Sequence, residues 1–116
     1  MKIVQKIGFQ GDLMIRRVDI VPDGYEERDA QDGQHVVAHS ETGHHHTVNA
    51  CGLKLFEGSD PMVAYLRLET VEYVDFVHHR PFDTHEPVRA LGKPGDVFEI
   101  RRQREYTPQG WRRVED

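Results

Sequence analysis

The stretch "MVAYLRLETVEYVDFV" (residues 62–77) alternates between two kinds of side chain almost throughout, and this period constrains the fold more than any other feature. Val63, Tyr65 and Arg67 fall on one face, and Ala64, Leu66 and Leu68 on the other. Successive side chains of an extended backbone point to opposite sides, so a two-residue period marks strand and excludes helix. The length of the stretch predicts two strands, or one long bent strand with a bulge near Glu69–Thr70. The same signal recurs in "KIVQKI", "LMIRRV", "QHVVAH", "ACGLKLFE", "PVRAL" and "VFEIRRQREY". Turn-forming segments such as "GFQGD", "EGSDP" and "GKPGD" separate these runs. No segment carries a 3.6-residue apolar period. The one helical signal is "TPQGWRRVED", where Thr107 can cap and Pro108 suits the first helical position. The pattern predicts an all-β chain, a β-sandwich or small barrel of eight or nine short strands, with at most a short C-terminal helical turn.

The 116 residues fit a single β domain, 1–116, with one modest core. Repeats, low-complexity tracts and linkers are absent from the sequence. Cys51 is the only cysteine, which excludes an intrachain disulfide and a cysteine-based zinc cluster. Beside Gly52 it reads as a small buried or half-buried residue. No run approaches the length of a membrane span, and "MKIVQKIGF" lacks the long apolar region of a signal peptide. The expected setting is therefore the cytoplasm, or a particle assembled there such as a virion. The net charge of −5 argues against nucleic acid as the partner of the whole molecule.

Charge is unevenly spread. Arg101, Arg102, Arg104, Arg112 and Arg113 crowd the C-terminal part with Glu105 as the one acid among them, whereas "DGYEERDAQD" is acidic. The run "RRQREY" has no apolar face, which predicts a solvated edge strand or one lying against a partner through salt bridges. Nucleic-acid binding through this end is the weakest reading, because only Tyr106 and Trp111 offer stacking surfaces there.

Three consecutive histidines stand in "SETGHHHTV". In extended backbone His44 and His46 share a face and His45 points away, so the outer pair can supply two ligands to one metal. The second histidine-bearing segment, "HHRPFDTHEP", offers His85 and Glu86 to complete a His-plus-carboxylate site for zinc, iron, nickel or manganese. The competing reading is structural: histidines of small β proteins often hydrogen-bond to backbone or line an interface. A cupin would resemble this chain in its His-x-His element and in the Pro-Gly-Asp turn of "KPGDVFEI". The cupin pattern also wants a glutamate shortly after the second histidine, where Asn49 and Ala50 stand, and a later histidine that "RRQREY" lacks. Nothing marks a nucleophile elbow or a phosphate-binding glycine loop, so the reading leans away from catalysis, and a metal-binding cupin-like β-barrel that uses the histidine cluster, as an enzyme or not, stands as the alternative.

Four ordered motifs, "GDLMIRRVD", "AHSETGHHH", "HHRPFDTHEP" and "RRQREYTPQGWRRVED", resemble those of a family of small uncharacterised proteins from bacteria and from tailed phages or prophages. The resemblance implies a shared small β fold and brings no assigned reaction. Many relatives carry a Gly-Glu pair where this chain has His39, Ser40 and Glu41, so no role passes to an acid there. The phage association implies a non-enzymatic virion protein, a capsid decoration or cement module that adheres to a capsid lattice as a homo-oligomer. Arg101, Arg102, Arg104, Trp111 and Arg112 are then the candidate interface residues, with Trp111 either an anchor in a partner's pocket or part of the chain's own core.

Overall fold

The computed structural model describes residues 1–38, 45–78, 86–107 and 110–113, with backbone alone for 104–107 and 110–113. The strands are β1 (Lys2–Val4), β2 (Ile7–Gln10), β3 (Leu13–Val18), β4 (Glu26–Arg28), β5 (Gln34–Ala38), β6 (His46–Asn49) and β7 (Leu53–Glu57). They continue as β8 (Val63–Leu68), β9 (Tyr73–His78), β10 (Val88–Leu91), β11 (Val97–Arg102), β12 (Arg104–Thr107) and β13 (Gly110–Arg113). One sheet runs β1-β10-β9-β6-β5, a second runs β2-β3-β11-β8-β7-β4, and β12 pairs with β13. The chain is all-β and sandwich-like. No helix among the described residues is long and apolar enough to cross a membrane.

The inner faces follow from the alternation. The six-stranded sheet contributes Leu13, Ile15, Leu53, Leu55, Leu66, Leu68, Phe98 and Ile100 to the core. The five-stranded sheet answers with Val4, Val48, Val74, Phe76, Val88 and Ala90. Phe76 and Phe98 are fully buried, and burial on this scale contributes roughly 1.5–3 kcal/mol per large side chain. A second apolar cluster of Met62, Val63, Tyr65 and Val97 is packed by Val18, Val21, Tyr25 and Phe56. These residues lie on the outer face of the six-stranded sheet, so β8 is buried on both sides apart from half-buried Arg67. That explains why its pattern mixes apolar residues on both faces.

Several expectations are revised. "KIVQKI" is not one strand: β1 pairs in parallel with β10, β2 pairs antiparallel with β3, and Gln5–Lys6 carry the chain from one sheet to the other. The crossing is tight. A Cβ at Gly8 would stand 2.2 Å from Val4 Cγ2, so only glycine lets β2 pass there. The run 62–77 does form two strands, β8 and β9, the first of the two alternatives its length allows. "RRQREY" is divided: Arg101 and Arg102 end β11, which lies between β3 and β8 rather than at an edge, whereas Arg104–Tyr106 belong to β12, paired with β13 alone. The backbone of 110–113 is strand, so the helical reading of the C-terminal segment does not hold for those residues. Cys51 is exposed, because it sits in the turn between β6 and β7 beside Gly52, whose φ is 77°.

Candidate functional site

The β2–β3 turn is closed by Gly11 at φ 58°, a left-handed conformation that suits glycine. The turn sets Asp12 at the end of the sandwich where β11 finishes. Backbone hydrogen bonding fixes the approach, since Gln103 N–H donates to the Asp12 carbonyl at 2.9 Å. Arg102 turns its guanidinium inward, and Nε and Nη2 donate to Asp12 Oδ2 at 3.0 and 2.7 Å. The five-stranded sheet brings two histidines to the same place. His46 opens β6, His78 closes β9, and the two are direct cross-strand neighbours. Their rings stack with centroids 4.0 Å apart and planes 2° from parallel.

Gln10, the last residue of β2, joins the two halves. Its amide nitrogen donates to the carbonyls of Phe76 at 2.9 Å and Glu86 at 3.2 Å. Those two acceptors fix the amide's orientation, so its oxygen is the atom that faces His46 Nδ1 at 3.0 Å. His46 Nε2 lies 3.4 Å from Asp12 Oδ1. All five residues are withdrawn from water: Gln10 is 3% exposed, Asp12 1%, His46 0%, His78 0% and Arg102 7%. Buried ionisable groups cost free energy unless paired, so a cluster of this density is either a structural anchor or a site.

Asp12, His46, His78 and Arg102 come from four separate stretches, "GDLMIRRVD", "AHSETGHHH", "HHRPFDTHEP" and "RRQREYTPQGWRRVED". The fold thus gathers one residue of each stretch at one pole. Of the metal ligands expected from sequence, His46 stands in this cluster. The Glu86 carboxylate does not: it is exposed and pairs with the terminal amine of Met1, a contact that holds it below the ordinary carboxylate range. Only its carbonyl touches the cluster, through Gln10. His44 and His85 lie outside the described residues. Among the described residues no group of three or more His, Cys, Asp or Glu side chains is placed to hold a metal ion.

The stack accounts for His78. An imidazole binds a metal in its own ring plane, and parallel planes do not meet, so His78 braces His46 without converging on the same point. His78 stands in the second histidine-bearing segment, but Asp12 and Gln10 were not legible as site residues. Their partners are distant in sequence, 90 positions for Asp12 and Arg102, and no local spacing announces them.

Of the expected interface residues, Arg101 is exposed on β11 and donates through Nε to Glu99 Oε1 at 3.3 Å, whereas Arg102 is buried within the chain. The β12–β13 backbone sets Trp111 opposite Tyr106, Arg112 opposite Glu105 and Arg104 opposite Arg113.

These features define a small β-sandwich domain with a sealed polar cluster at one pole. Residues 9–103 match the model of a family described as a domain of unknown function (DUF8820), and the chain belongs to that family. No curated protein and no solved structure matches it.

Proposed function

We propose that the chain is a non-catalytic binding domain that holds a divalent transition-metal ion at the histidine pole, with His46 Nε2 and Asp12 Oδ1 as two of its ligands. The carrying observation is that His46 stands between two acceptors. The Gln10 oxygen accepts a hydrogen bond from Nδ1–H, which turns Nε2 toward Asp12 Oδ1. A cation on that side, either a proton on Nε2 or a metal ion, reconciles two electron-rich atoms 3.4 Å apart. Two ligands bound at about 2.0–2.1 Å to a tetrahedral ion stand about 3.4 Å apart, which favours zinc over iron, nickel or manganese. The Gln10 contact to the second ring nitrogen is the kind of supporting bond that orients metal-bound histidines. His44 and His85 are the proposed further ligands.

Elemental analysis of tag-free protein tests this reading. About one equivalent of zinc is expected, falling below about a tenth in His46→Ala and in Asp12→Asn. Wild-type protein that stays metal-free after dialysis against zinc overturns it.

A second reading, adhesion to a protein lattice such as a capsid, is favoured by a different observation. Met1, Ile3, Ile7 and Phe9 are 58%, 51%, 54% and 41% exposed, and all lie within the first nine residues. Three of them belong to β1 and β2, the edge strands of the two sheets. An apolar flank with open strand edges is what a self-associating or lattice-binding surface presents.

A further inference from the structure

A groove of about 420 Å³ opens at the pole opposite the histidines, where β3 and β10 end. It is lined by Gln5 and Lys6 of the sheet crossing, Arg17 of β3, and Leu91, Gly92, Lys93 and Asp96 around the β10–β11 turn. Three of these side chains are cationic and one is anionic, so the lining carries 3 − 1 = +2 in a chain whose net charge is −5.

The walls are fixed by hydrogen bonds. Arg17 N–H donates to the Lys6 carbonyl at 2.8 Å, Lys93 N–H to Asp96 Oδ2 at 2.8 Å, and Asp96 N–H to the Lys93 carbonyl at 2.9 Å. Arg17 Nη2 donates to the Leu91 carbonyl and stands 3.8 Å from Asp96 Oδ2, while its guanidinium lies 5.8 Å from the centre of the Phe98 ring. Asp96 is therefore committed to the turn and to Arg17. Lys6 and Lys93 are exposed, and among the described residues neither ammonium has a carboxylate partner.

We propose that this groove binds a small phosphorylated molecule, with the phosphate between Lys6, Lys93 and the Arg17 guanidinium and an apolar body against Leu91 and Gly92. Two unpaired ammonium groups beside a fixed guanidinium form a positive recess whose charge suits a dianion better than a single carboxylate. The site is separate from the histidine pole and does not rest on metal binding there.

Titration of isotope-labelled protein with inorganic phosphate and with phenyl phosphate, followed by amide resonances at matched ionic strength, tests the proposal. Saturable shifts confined to residues 5–6, 17 and 91–96 are expected, with phenyl phosphate binding more tightly than phosphate. The double variant Lys6→Ala/Lys93→Ala should keep the wild-type melting temperature, because both side chains are exposed, and should weaken binding by about tenfold or more. Asp96→Asn, which retains an oxygen for the turn, should tighten it. Shifts that sodium chloride reproduces, that fail to saturate at millimolar phosphate, or that survive in the double variant each overturn the site.

Discussion

At the scale of single residues the largest free energies lie at the Asp12–Arg102 pair. Both side chains are buried, and the carboxylate accepts two guanidinium hydrogen bonds on one oxygen. Removing one partner strands a charge in the interior, which costs about 3–5 kcal/mol, whereas replacing both with apolar groups removes the stranded charge. In metal-free protein Arg102→Met should therefore lower unfolding stability by about that amount in urea titrations, and Asp12→Leu/Arg102→Met should recover part of the loss. A double variant no more stable than Arg102→Met would show that the pair is not the anchor described. Gly8 makes a second residue-scale prediction. A Cβ there meets Val4 Cγ2 at 2.2 Å, so Gly8→Ala should cost about 1–3 kcal/mol by overpacking, measured the same way. Neither residue could be read from sequence alone. Gly8 stands in a strand and looks like part of a turn, and Asp12 finds its partner 90 positions later.

At the scale of elements, strand identity was largely legible and strand neighbours were not. Alternation places β3, β5, β7, β8 and β10 close to their observed bounds, because each buries one face or both against something apolar. The sequence does not reveal that β1 and β2 join different sheets. Two short apolar runs divided by Gln5–Lys6 look alike whichever sheet receives them. The central place of β11 was hidden by its charges, which are answered by partners on other strands. Glu99, nearly buried on its outer face, illustrates this. Burial pushes its carboxyl up, but Arg101, the Tyr65 hydroxyl at 3.0 Å and Arg16 outweigh burial and hold it below its ordinary 4.5. A depressed carboxyl contributes stability that is present above 4.5 and is lost as pH falls through the folded value. Wild-type protein should thus lose more stability than Glu99→Gln between about pH 5 and about pH 3, and equal losses would count against the assignment. Tyr65 is pushed up to about 12, first by burial and then by its hydrogen bond to Glu99. Its stabilising share is complete below the ordinary value of 10 and is lost as pH rises toward 12. Absorbance titration of the phenols should show one late-titrating tyrosine that disappears in Tyr65→Phe.

At the scale of the whole molecule, the two flanks of the sandwich differ. The flank formed by β4 and β5 is guarded: Glu26, Glu27 and Arg28 are all exposed on β4, and charge on an edge discourages pairing with another chain. The opposite flank carries the edges of β1 and β2 with Ile3, Ile7 and Phe9 turned to solvent, and Lys2 and Lys6 as its flanking charges. An adhesive surface built on β1 and β2 would be independent of Arg102, which is spent inside the chain. The prediction concerns mass. A chain of 13.5 kDa should run by light scattering as a dimer or larger species at micromolar concentration. Ile7→Lys/Phe9→Lys should shift it to the monomer while its melting temperature stays close to wild type, since both side chains point away from the core. A monomeric wild type would sink self-association, and a variant that still associates would move the contact elsewhere. The same variant separates this flank from the histidine pole. Gln10 ends β2 with its side chain inward, so lysines at positions 7 and 9 leave the His46 contact in place. A monomeric variant that retains its zinc would show that holding the ion and adhering to a partner are independent properties of one sandwich.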